Sequence, residues 1–99
     1  MIVRIQPNSS ITLENADTFA AFSIAASGMT TADIIAAFEG DAELGDEEHV
    51  WIAISRLHAL GAAHGGPGWR AGCDGMLVFA ATKGWIDESK NSVLAHIER

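Results

Sequence analysis

Five of the ten glycines, one of the two prolines and the only cysteine of this chain fall within His64-Gly65-Gly66-Pro67-Gly68-Trp69-Arg70-Ala71-Gly72-Cys73-Asp74-Gly75. Glycine lets the backbone approach a ligand closely, so this run reads as a loop presenting an imidazole, an indole, a guanidinium, a thiol and a carboxylate. The chemistry such a set supports is recognition of a small anionic, partly apolar molecule. Trp69 would form an apolar wall, and Arg70 would grip a carboxylate through two parallel N–H donors. His64 would act as a base, with Asp74 orienting it or serving as the acid. The candidate catalytic residues are therefore His64 and Asp74, and the candidate ligand-binding residues are Trp69 and Arg70.

Other chemistries fit the residues less well. A Cys73–His64 pair would activate a thiolate, but Ala71-Gly72-Cys73-Asp74-Gly75 follows no expected strand and so lacks the strand-to-helix setting of a nucleophile elbow. Cys73 reads instead as an ordinary loop or partly buried thiol. His49, His58, His64, Cys73 and His96 show neither C-x-x-C nor H-E-x-x-H spacing, so no metal site is expected. The Gly65-Gly66-Pro67-Gly68 turn matches neither G-x-x-x-x-G-K-[ST] nor G-x-G-x-x-G, and no nucleotide or other cofactor is expected.

Composition sets the frame for these residues. The chain has 99 residues, 48% hydrophobic and 19% charged, the profile of one globular domain spanning 1–99. A formal charge of -7, with only six cations scattered at Arg4, Arg56, Arg70, Lys83, Lys90 and Arg99, argues against nucleic acid. The acidic run Glu39, Asp41, Glu43, Asp46, Glu47, Glu48 could steer a basic partner, but such runs more often solvate a helix start. No apolar stretch approaches the roughly 18 residues of a membrane span. With one cysteine and no secretory leader evident, a reducing cytoplasm is the expected location.

Four helices and a short N-terminal β-hairpin are expected to carry the loop, a mainly α fold. Val3 and Ile5 alternate with polar residues, then Pro7-Asn8-Ser9-Ser10 turns the chain into Ile11 and Leu13. Asn15 would cap a first helix bearing Phe19, Phe22 and Ala26, closed by Gly28. Thr30 and Asp33 form a capping box for a second helix, with Met29 stapled against Ile34 and Gly40 as its stop. Asp46 would cap a third, with Val50, Leu57 and Leu60 on its core stripe. The segment 76–81 ends on Lys83-Gly84-Trp85, which reads as a helix closed by a Schellman turn. Asp87 would cap the last helix, carrying Val93, Leu94 and Ile97.

An alternative is a winged-helix-like α+β layout, with 76–81 as the wing. Its recognition helix would begin Glu47-Glu48 and repel phosphates, so it would serve protein interaction. The expected function is a binding or accessory module that self-associates, because the small core leaves Trp51, Ile52, Trp85 and a hairpin edge to be covered. The runner-up is a small-molecule enzyme using acid–base chemistry at 64–75. The partners expected are a second copy, another protein or a small anionic ligand, with neither nucleic acid nor membrane.

Overall fold

A computed structural model describes residues 1–99. β1 (Ile2–Ile5) and β2 (Ile11–Glu14) form the expected antiparallel hairpin, with Val3 opposite Leu13 and Ile5 opposite Ile11. Asn8 tightens its turn by accepting hydrogen bonds from the backbone and hydroxyl of Ser10. The next segment departs from expectation. Asn15 adopts a left-handed φ of 47° instead of capping a helix, and Ser23–Ala25 becomes β3, parallel to β1. Ile24 is fully buried at that central position. The apparent helical stripe of Phe19, Phe22 and Ala26 dissolves because β3 fills the slot between β1 and the last strand.

The following helix is the one whose start the sequence specifies most fully. In α1 (Thr31–Ala37) the Thr30 hydroxyl accepts from the Asp33 N–H at 3.1 Å while the Asp33 carboxylate accepts from the Thr30 N–H at 3.2 Å. Two orphan donors are thereby satisfied reciprocally. Beyond it, Ala42–Asp46 and His49–Ala53 are β4 and β5, an antiparallel hairpin where a helix start was expected. Asp46 does cap, but it caps a turn: its carboxylate accepts from the Glu48 N–H at 2.8 Å. Val50 and Ile52 then alternate into the core with a period of two. α2 begins only at Ile54 and runs to His64, burying Leu57, Leu60 and Gly61.

α3 (Trp69–Thr82) absorbs most of the expected Gly-rich loop, since Gly72, Cys73, Asp74 and Gly75 all lie within it. Its close follows the sequence reading. Gly84 takes φ +77°, its N–H donates to Ala81 and the Trp85 N–H donates to Ala80 at 3.0 Å. Asp87 does not cap a helix; it accepts from the N–H and hydroxyl of Ser89 and turns β6 (Ile86–Asp87) into β7 (Ser92–Glu98). Val93, Ala95 and Ile97 alternate inward along β7.

The architecture is therefore α+β, with three helices on a seven-stranded mixed sheet ordered β2-β1-β3-β7-β5-β4 and β6 beside β7. This overturns both the four-helix expectation and the winged-helix alternative. Residues 46–53 form a hairpin where a recognition helix would begin, and 76–81 are helical where a wing would lie. One sheet face, carrying Val3, Leu13, Ile24, Val50, Ile52, Val93, Ala95 and Ile97, shares a single core with Ile34, Phe38, Leu57, Trp69, Cys73 and Met76 from the helices. The other face carries Ile2, Arg4, Ser23, Ala25, His49, Trp51, Leu94 and His96, all half-buried, and no helix packs its core residues against it. No helix is long and apolar enough to cross a membrane.

Candidate functional site

The residues singled out in 64–75 separate on folding. His64 is the exposed last residue of α2, and no hydrogen bond or ion pair joins it to Asp74. Arg70 and Asp74 do meet, one turn apart on α3, with Nε 3.3 Å from Oδ1. Both are largely solvated, so the pair contributes little to stability. Trp69 points inward at 6% exposure and donates its indole N–H to the Ala16 carbonyl at 2.8 Å. Its ring lies so close to α2 that a Cβ at Gly61 would come within 2.0 Å of it. Trp69 is a plug in the helix junction, and the glycines make room for it.

A different histidine reaches Asp74. His58 places Nε2 3.8 Å from Asp74 Oδ1, and that nitrogen is buried with no hydrogen-bond partner. Burial lowers the His58 pKa, the Arg70 charge lowers it further, and Asp74 partly opposes both. Cys73 is fully buried beside them, its pKa pushed up to about 11 by burial first and Asp74 second. A thiol so placed is protonated at neutral pH and is no nucleophile.

A second concavity arises from the sheet itself. One edge of β7 is paired by β5 from Ser92 to His96, while its other edge is shared: β6 pairs with Ser92 and Val93, and β3 pairs with the stretch from His96 to Glu98. Between those partners the Leu94 N–H donates to the Trp85 carbonyl at 2.9 Å, and a seam opens where the chain enters β3 and β6. Phe19 and Phe22 border it on one side and Phe79 and Trp85 on the other, around a cavity of about 140 Å³. Phe79 and Trp85 meet edge to face at 6.3 Å. Phe19 lies flush on α3 because residue 72 is glycine; a Cβ there would come within 2.2 Å of its ring.

The polar groups of this cavity are His49 and His96, register partners on β5 and β7 whose rings pack edge to face at 5.1 Å. His49 Nδ1 lies 2.8 Å from Asp46 Oδ1. The hydrogen bond to His49 is the main cause holding the Asp46 carboxyl below its ordinary pKa, with the Glu48 N–H second. In the neutral imidazole, a proton on Nδ1 facing the Asp46 carboxylate leaves Nε2 as a hydrogen-bond acceptor. His96 Nε2 lies 4.0 Å from a Glu98 carboxylate oxygen. No group of three or more potential metal ligands converges anywhere in the chain. The sequence reading missed this site because its histidines are 47 positions apart; the usable signal was the alternation in His49-Val50-Trp51 and Leu94-Ala95-His96, which marks strands that could share a face. No protein-family model, curated protein or solved structure matches the chain.

Proposed function

We propose that the protein is a binding module whose recognition site is the seam cavity between β3 and β6, together with the adjoining helix-free sheet face. One observation carries this reading: four aromatic side chains and a histidine pair line a single concavity of about 140 Å³. Concave, mostly apolar cavities with a few convergent polar groups are the usual form of small-molecule sites. Phe79 and Trp85 supply apolar surface there while remaining 56% and 43% exposed, which an internal packing role does not require. A fragment screen followed by amide and indole shifts in NMR tests the proposal. Ligands should perturb Phe22, Phe79, Trp85 and Leu94. Hits confined to the Arg70 side, or no hits, would overturn it.

Self-association is a second reading, supported by the helix-free face with Ile2, Ala25, Trp51 and Leu94 near its middle. Its original grounds are narrower in the folded chain, because Ile52 is fully buried and Trp51 half-buried. Two copies of a chain carrying -7 also repel one another at low salt. Sedimentation at tens of micromolar protein should give a dimer mass if this face pairs, and a monomer at every concentration and salt level removes the reading.

A further inference from the structure

Resting on the seam cavity as a binding site, we infer that its occupant is a small organic ammonium ion, with the positive charge spread over alkyl groups. The aromatic walls, a lining without lysine or arginine and the acidity of the chain converge on this class.

Phe19, Phe22, Phe79 and Trp85 present aromatic surface to the cavity. The face of such a ring is the negative pole of its quadrupole and attracts cations. One of these rings already receives a cation: Lys83 holds its ammonium 5.5 Å from the Phe79 centroid. The two histidines of the lining each have a carboxylate neighbour outside it, Asp46 at 2.8 Å from His49 and Glu98 at 4.0 Å from His96. The acidic turn joining β4 to β5 is fastened alongside, since the Glu48 carbonyl accepts from the Ile97 N–H at 2.7 Å.

No lysine or arginine lines the cavity. A carboxylate or phosphate would therefore find no cation in the lining to pair with, in a chain whose net charge is already -7. A bare ammonium would have to shed tightly held water into a mostly apolar space. An alkylated ammonium avoids both costs: its methyl groups pack on the rings, and its charge sits in the field of a chain carrying -7. A hydroxyl two carbons from the nitrogen, as in choline, adds a donor suited to the imidazoles of the lining.

The decisive comparison sets choline against 3,3-dimethylbutan-1-ol, its neutral counterpart of nearly equal shape. Affinities are measured by NMR titration of the intact protein, following the Trp85 indole and the Phe79 and Leu94 amides. Choline should bind about tenfold more tightly than the alcohol, in keeping with the usual strength of cation–π contacts. Phe79→Leu keeps apolar bulk at an exposed position; it should weaken choline several-fold and leave the alcohol nearly unchanged. Equal or tighter binding of the alcohol would refute the ammonium assignment while leaving the cavity as a binding site. Choline shifts limited to Asp46, Glu47 and Glu48 would refute it as well, marking loose attraction to surface charge. If fragments perturb the lining and choline does not, the ammonium assignment falls alone; if nothing perturbs the lining, the cavity proposal falls with it.

Discussion

The junction of α2 with α3 and the seam between β3 and β6 are built alike, and they differ in how far their aromatic rings are buried: Trp69 is 6% exposed, whereas Phe79 and Trp85 are 56% and 43% exposed. Both press an aromatic ring onto a glycine of a helix: Trp69 onto Gly61 in the junction, Phe19 onto Gly72 in the seam. At the junction the ring is buried and its N–H is satisfied by Ala16. At the seam, Phe19, Phe79 and Trp85 stand around an opening, and only the two histidines bring polar atoms to it. A glycine-rich run can thus record close packing as readily as ligand approach. Whether the ring ends up buried depends on what the rest of the chain packs over it.

Trp69→Ala should break this contrast most severely, because it removes a buried ring and leaves the Ala16 carbonyl without its donor; a loss of about 3–5 kcal/mol is expected from denaturant midpoints. A loss under about 1 kcal/mol would mean that the junction is not closely packed. Gly61→Ala comes next. The added methyl meets the indole at 2.0 Å, and forcing the two apart should cost about 1–3 kcal/mol despite the better helix propensity of alanine. At the seam, Trp85→Ala should cost only about 1 kcal/mol, since the side chain is half exposed and the helix-closing hydrogen bond comes from its backbone. Its larger effect should be on ligand-induced shifts, and a stability loss as large as that of Trp69→Ala would erase the distinction between the two regions.

The smallest expected effect concerns pH and sharpens the junction side. The pKa of His58 is lowered in the folded chain from its ordinary 6.5, so the unfolded chain takes up a proton there more readily than the native one. Stability should be unaffected by this group above pH 6.5 and decline as pH falls from there toward the depressed native value. His58→Gln should flatten that part of the profile relative to wild type, as read from thermal or denaturant unfolding between pH 5 and pH 8, a range of about three units around the ordinary histidine value. Superimposable profiles would show that His58 is as well solvated in the native chain as in the unfolded one.

What the sequence determined by itself was local and carried by short-range hydrogen bonding. The hairpin turn at Asn8, the Thr30–Asp33 capping box and the Schellman close at Gly84 were all legible, because the groups that satisfy one another lie within a few residues. The core stripe of Leu57 and Leu60 was legible for the same reason. Asp46 and Asp87 read as helix N-caps but close turns instead, since an aspartate that gathers backbone N–H groups does so equally well in a turn. Val93-Leu94 with Ile97 fits one helical face, while Val93, Ala95 and Ile97 fit one strand face; only the presence of β3 and β5 on either edge of β7 decides between them.

The candidate site lies further from what the chain reveals locally. Arg70 and Asp74 are a turn apart, and their pairing follows from helical spacing once α3 is known. His49 and His96 meet only because β5 and β7 pair in one register, and a shift of one residue would turn each to the opposite face. The cavity beside them exists because two strands from distant parts of the chain share one edge of β7 without meeting. Sequence fixes a contact when its partners are neighbours along the backbone; strand order and register are settled by the joint burial of the whole sheet, and so it was tertiary structure that assembled the site.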